Sequence, residues 1–330
     1  MSQIRVACVC PIVGDPTSFY RGLGPLMRLQ KQNRNIQLFF PANVDWSSLA
    51  IADLLFLQRP ATPEHFQALI VAKDLGLKVW CDMDDDNLSV PKDNPTYNTY
   101  NQLHIKDAIV KLARHCDVLT VTTEHLKRKY GIYNKNTVII PNAIDDGLMH
   151  LRQIPPGPRQ KKALWRGNPS HQRNLMSVGK EIVSLARKHE DWRFSFFGID
   201  PIDITDVIRN NEVIGATPIL DYYKAICALH SALFYYPLIA TDHAQARSHI
   251  CWLEATFAGS LTVASKNQEF TRPGVLNFST PQEFESVMDQ VMNGGVDIET
   301  RVQESWAEIQ SKYVLSQTNK KRMEIIESLL

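Results

Sequence analysis

Apolar residues fall into two successive series along this chain. In the first, β-rich runs at 4–10 (IRVACVC), 36–40 (IQLFF), 53–57 (DLLFL), 78–83 (KVWCDM), 117–122 (DVLTVT) and 137–140 (TVII) alternate with stretches of helical periodicity. The helical stretches fall at about 18–32, 63–75, 100–115 and 123–130. The second series has strands at 163–165 (ALW), 192–198 (WRFSFFG), 213–215 (VIG), 232–237 (ALFYYP) and 261–264 (LTVA), with helices near 175–188, 220–229 and 250–257. Alternation of this kind predicts parallel sheets covered on both faces, so the fold class is α/β with two Rossmann-like halves in series. Between them, RQIPPGPRQKK breaks any regular element with three prolines and a glycine. The expected division is a first domain over 1–151, a linker over 152–162, a second domain over 163–301 and a helical tail over 302–330. No element is assigned between 266 and 301.

Composition narrows the function. A chain of 330 residues that is 44% hydrophobic can fill two cores. A net charge of +1 argues against a dedicated nucleic-acid binder. Residues 127–173 nevertheless hold ten Lys or Arg against Asp145 and Asp146, which is either a solvated face near a linker or a region that meets a polyanion. The cysteines at 8, 10, 81, 116, 227 and 251 have no metal-ligand spacing and read as core thiols in a reducing compartment. Neither a signal peptide nor an apolar run of membrane-spanning length is visible, so a soluble, cytoplasmic protein is expected.

In open parallel sheets ligands collect beyond the carboxyl ends of the strands, which directs attention to Gly14–Arg21, Gln58–Pro60, Asp82–Asp86 and Pro141–Asp145. The loop GDPTSFYRGLGP lacks the dinucleotide fingerprint but allows close backbone approach to a ligand, with Ser18 either a site residue or a helix cap. CDMDDDN contains a D-x-D at Asp82 and Asp84, and its crowded carboxylates, Asp85 included, need a cation, an arginine or water between them. In PLIATDHAQARSHICWLEATFAGSLTVAS, an apolar stripe of Ile250, Leu253 and Phe257 ends at Gly259. Glu254 and Arg247 fall on or beside its inward side. Either they meet a hydroxyl- and phosphate-rich ligand, with Ser248 near the helix start, or they form an internal ion pair.

This last stretch, with its LEATFAGSLTVAS, resembles the donor-binding element of GT-B glycosyltransferases of the GT4-like type. Two further segments resemble the same family: PNAID, with Ala143 where glycine is usual, and WRGNPSHQRNL, which resembles its G-[ST]-x-x-H-x-x-[DN]-L pattern through Gly167, His171, Asn174 and Leu175, with Asn168 at the Ser/Thr position. The second glutamate usual eight positions before Glu254 is Ala246 here, which leaves that sugar contact to a neighbour such as Asp242 or to none. The resemblance implies two Rossmann-like domains whose parallel sheets face a central cleft, with the last helix crossing back to the first domain. It also implies transfer of a sugar from a nucleotide-sugar co-substrate, with retention and no cofactor or metal.

Residue by residue, the donor would meet Gly14, Gly167, Asn168, His171, Arg173, Ile214, Asp242, Ser248 and Glu254. Arg166, Arg173 and Arg247 would come from three elements to the departing diphosphate. Asp82, Asp84 or Asp85 would hold hydroxyls or act as base, and Ser18, Tyr20, Arg21 and Arg59 would lie on the acceptor side. A metal held by Asp82 and Asp84 is the competing mechanism. A GT-B-like phosphorylase or epimerase, or a catalytically silent sugar-nucleotide binder, is the competing function. The acceptor is open among a glycan, a lipid-linked sugar, a small molecule and a hydroxymethylated pyrimidine in DNA.

Overall fold

The computed structural model describes residues 3–10, 15–40 and 49–330. Two six-stranded sheets account for every strand among them, and all pairings are parallel. The first sheet has the order β2-β1-β3-β4-β5-β6, built from Ile4–Val9, Ile36–Phe39, Leu54–Gln58, Lys78–Met83, Val118–Val121 and Thr137–Ile139 in chain order as β1 to β6. The second, β12-β11-β10-β7-β8-β9, holds Gln160–Arg166, Arg193–Gly198, Asn211–Gly215, Ser231–Tyr236, Leu261–Ser265 and Leu276–Phe278 as β7 to β12. The central strands β3, β5 and β10 are buried at every position, because helices cover both faces of a parallel sheet.

Four helical stretches differ from the sequence expectation: that near 175–188 is divided into Gln172–Met176 and Gly179–Lys188, and that over 100–115 into Tyr97–Tyr100 and Leu103–His115. The stretch expected as one helix over 18–32 is broken into Pro16–Arg21 and Leu23–Gln32 at Gly22, where a Cβ would lie 2.0 Å from Gln58 Oε1. The tail is also two helices, Ile298–Lys312 and Leu315–Leu329. β12 and the helix Pro281–Met292 occupy the stretch to which no element is assigned above.

The halves share their cores. Tyr20, Ile144 and Leu151 are buried within the cluster formed by β10, β11 and the helix Ile250–Phe257, while Ala246 is buried within the cluster of the first sheet. Between the tail helices, Val314 forms a bridge with Ile144, and Ile325 and Ile326 then join Val6, Phe56 and Trp80 in a first-half core. Gly259 ends the helix Ile250–Phe257 at φ +74°, and a Cβ there would meet Ile154 Cδ1 at 2.8 Å. The turn therefore requires glycine both for its dihedral and for the close approach of the 152–162 segment.

Candidate active site

A cavity of about 490 Å³ opens between the halves, lined by residues that follow β1, β3, β4 and β6 on one side and β7 and β10 on the other. On the first wall, Arg59 sits in the left-handed region at φ 47°, a conformation that costs about 1–3 kcal/mol in a residue with a Cβ. Its N–H donates to the Asp82 carbonyl at 2.7 Å, and its guanidinium grips both oxygens of Asp84, with Nε 2.7 Å from Oδ1. Asp85 meets the opposite wall: Arg247 Nη1 donates to its Oδ2 at 2.9 Å. Burial would raise the Asp85 pKa, but the charges of Arg247 and Arg59 outweigh it and hold the carboxyl below its ordinary value.

On the second wall, β7 runs out at Arg166 into a turn at Gly167, where a Cβ would lie 2.6 Å from the Trp165 ring. Asn168 Oδ1 accepts from Ser170 N at 3.0 Å and fixes the turn that brings His171 to the cavity. His171 is 7% exposed, and its Nδ1 has no partner. Burial, then the neighbouring charges of Arg247 and Arg166, push its pKa well down, so the ring is neutral at pH 7. Arg247 lies in the break between the helices Asp242–Gln245 and Ile250–Phe257. There its Nη2 donates to His243 Nε2 at 3.0 Å, while His243 Nδ1 faces the Asp86 carbonyl at 3.1 Å. The two contacts select the tautomer protonated at Nδ1, since Nε2 must accept. Ser248 Oγ accepts from Asn142 Nδ2 at 2.8 Å, another bond between the walls.

Behind the cavity lies a second polar group, built around a carboxylate closed to solvent. Glu254, 3% exposed, accepts from Tyr20 at 2.8 Å and from Tyr222 at 2.9 Å, and its Oε2 lies 2.7 Å from Arg166 Nε. Tyr20 spends its proton on Glu254, so Tyr223, 2.6 Å away, donates to Tyr20. Burial first, and the Glu254 charge next, raise all three phenol pKa values, which keeps these donors protonated.

No protein-family model and no curated protein matches the chain. Solved structures do. HepE of Anabaena in complex with UDP and glucose superposes with a TM-score of 0.72 at 12% identity over 99% of this chain and 100% of that one. A glycosyltransferase from Rickettsia africae ESF-5 gives 0.68 at 12% identity over 100% and 99% of the two chains. UDP-GlcNAc 2-epimerase from Neisseria meningitidis bound to UDP-GlcNAc gives 0.59 at 13% over 98% and 100%.

The chain has the GT-B fold. Within the GT-B cleft, Arg59, Asp84, Asp85, Asn168, His171, Arg247 and Ser248 line one cavity, as a shared site requires. Other expected residues lie elsewhere. Asp82 and Arg21, 2% and 1% exposed, form a buried pair with Arg21 Nε 3.0 Å and Nη2 2.6 Å from the two oxygens; Thr120 Oγ1 is a further donor at 2.6 Å. Strand β4 carries Asp82 within the sheet, so it turns to the interior, whereas Asp84 and Asp85 lie past the strand end. The three arginines expected at one diphosphate each have their own carboxylate: Arg166 with Glu254, Arg173 with Asp93 and Arg247 with Asp85. Arg247 alone of the three lines the large cavity, and Arg173 shares a small neighbouring pocket with it.

Glu254 and Arg247 do not share a helix face, because the helix begins at Ile250, and the internal pair of Glu254 is with Arg166. Tyr20 belongs to that buried hub rather than to the cavity wall. Ser18 is 1% exposed with an unpartnered Oγ, and the cap position of its helix is Asp15. Asp242 is exposed off the cavity, Ile214 packs on the second-half core, and Gly167 stands behind the lining turn. Ala246 is fully buried against the first-half core, where a glutamate would have no solvent and no space. Gly14 lies outside the described residues.

The cavity also includes residues given no individual role from the sequence, Asp15, Asn87, Tyr100, Asn142 and His243, although all but Tyr100 lie in stretches singled out there. Asp15 had a local signal, since Asp followed by Pro opens a helix at a strand end. Asn142 stands within PNAID and His243 within the stretch before Glu254, but the role of each depends on contacts between the halves, which a local pattern does not show.

Proposed function

We propose that this protein is a glycosyltransferase of the GT4-like type, moving a hexose or pentose from a nucleotide-sugar donor to an acceptor hydroxyl with retention and without a metal. One observation carries this reading: Arg247, Ser248 and neutral His171 on one wall of a single cavity face Asp84, Asp85 and Arg59 on the other. The neighbours solved with UDP, glucose and UDP-GlcNAc support a nucleotide-sugar ligand.

In this reading the donor diphosphate sits at Arg247 and the first-turn amides of Ile250–Phe257, competing with Asp85 for the guanidinium. As the bond from the anomeric carbon to the diphosphate oxygen breaks, the developing charge is met by Arg247, and by His171 if its ring proton is turned to the oxygen. Arg166 acts from behind through the buried Glu254 hub, and Arg173 from the rim. The apposed walls limit water, which would otherwise hydrolyse the sugar. Six free cysteines suit a cytoplasmic setting, and no described helix is long and apolar enough to cross a membrane.

A thermal-shift panel of nucleotides and sugar nucleotides, followed by mass spectrometry of the best donor with and without acceptors, tests the proposal. A nucleoside diphosphate is expected to raise the melting midpoint in the wild type and much less in Arg247→Ala. Absence of any shift across the panel overturns it, and conversion of the donor sugar without an acceptor would make the protein an epimerase.

A further inference from the structure

Three carboxylates line the cavity, and two are neutralised where they stand: Asp84 by Arg59 and Asp85 by Arg247. The third is Asp15. It stands at the cap position before Pro16 without a side-chain capping bond, and its carboxylate has no ion pair or hydrogen bond among the described residues. Tyr100, on the same wall, feels its charge: burial raises the phenol pKa, and Asp84, Asp85 and Asp15 add to the rise against Arg59. The first-half wall thus keeps one uncompensated negative charge facing the cavity.

A second group on this wall lacks a partner. Asn87, 4% exposed, lines the cavity with its Nδ2 unpartnered. A buried donor left unpaired costs about 1–3 kcal/mol, so such groups are normally matched by ligand or water. The wall therefore offers an acceptor-only carboxylate and an amide donor. A hydroxyl both donates and accepts, and neighbouring hydroxyls satisfy the two groups together. A phosphate or carboxylate satisfies the amide but meets Asp15 as a like charge.

Resting on the transferase reading above, we infer that the acceptor is an uncharged polyol of the sugar class, whose reacting hydroxyl accepts from Asn87 and keeps its proton for the leaving oxygen, while an adjacent hydroxyl donates to Asp15. The acceptor oxygen bonds to the anomeric carbon as the carbon–oxygen bond to the diphosphate breaks. The electron pair leaves with the diphosphate, and the hydroxyl proton passes to that leaving oxygen. Asp15 orients the acceptor on the face from which the diphosphate departs and selects against negative charge. A nucleic acid is then a poor acceptor, whatever the basic character of residues 127–173.

The test uses the full chain with its best donor and three acceptor sets: neutral mono- and oligosaccharides, their phosphorylated or uronic forms, and a hydroxymethylated DNA oligonucleotide. Neutral sugars are expected to be the substrates, with kcat/KM about 10- to 100-fold lower in Asp15→Ala and about 3- to 10-fold lower in Asn87→Ala. Nucleoside diphosphate affinity should stay within about twofold in both. In Asp15→Asn the preference for neutral over anionic forms of one sugar should narrow at least tenfold, a change that a merely structural Asp15 would not produce. Equal use of anionic sugars or DNA by the wild type, an unchanged preference in Asp15→Asn, or no transfer to any neutral sugar by a donor-binding protein overturns the inference. Failure to bind any nucleotide instead overturns the function on which it rests.

Discussion

Two arginine–aspartate pairs drawn from the single stretch CDMDDDN have opposite settings. Asp82 and Arg21 are 2% and 1% exposed, and Asp82 accepts from Arg21 and Thr120 while Arg21 also donates to the Ile140 carbonyl. Asp85 and Arg247 line the cavity, with side chains 14% and 19% exposed, and join the two halves. The first pair is saturated by protein groups and has no capacity left for a ligand. The second is held by few bonds at a solvent-reachable wall, where a diphosphate can exchange for a carboxylate. A carboxylate–guanidinium contact therefore says little by itself; the remaining partners decide whether it holds the fold or waits for a substrate.

The largest effect should come from breaking the buried pair. Asp82→Asn leaves Arg21 without its counter-charge next to Arg322, whose own pKa burial and Arg21 already push down to about 9. Urea denaturation is expected to show a loss of about 3–5 kcal/mol. Nucleotide affinity measured on the folded fraction should change little.

Arg247→Ala should do the reverse. A loss of about 10- to 100-fold in nucleoside diphosphate affinity, read by isothermal titration, is expected from removing a charge-assisted contact, with a smaller stability change than in Asp82→Asn. Equal stability losses with unchanged affinity would erase the distinction between the two pairs.

His171 gives a smaller, pH-dependent effect. Its folded pKa lies well below 6.5 because of burial and then Arg247 and Arg166, so the unfolded chain binds the extra proton first. Stability should accordingly be level above neutral pH and fall as pH drops below about 6.5, a trend that half-buried His65 and buried His249, also shifted down, share. His171→Gln should make the acid slope shallower. An unchanged slope would mean that the ring is charged in the fold, which contradicts its role as a neutral donor.

The smallest expected effect is that of chelation. Arg59 and Arg247 already occupy Asp84 and Asp85, so EDTA should leave turnover within about twofold. Activity lost on chelation and restored by Mn²⁺ or Mg²⁺ would replace the arginine pairing with a metal mechanism.

Most strands were legible because each is a short apolar run bounded by turn residues, and parallel sheets bury such runs whole. β12 was not, being three residues at a sheet edge. The helix Pro281–Met292 carried a readable start, with Thr280 accepting from Glu283 N and Pro281 at the first position, but its periodicity lies outside the segments that the family resemblance covers. Gly22 looked like an ordinary helical residue until Gln58 and Cys10 were placed against it.

The sequence by itself determined the order of strands and helices, the two halves, and the loops at strand ends where a site could form, because these follow from local periodicity and turn chemistry. Only the tertiary structure decided which charges meet. Arg247 finds Asp85 across 162 residues, Arg21 finds Asp82 across 61, and Tyr20 reaches Glu254 across 234. Many Asp and Glu stand within the chemistry of each arginine, and choosing among them requires the docking of the halves and the desolvation that it imposes, neither of which has a local signature.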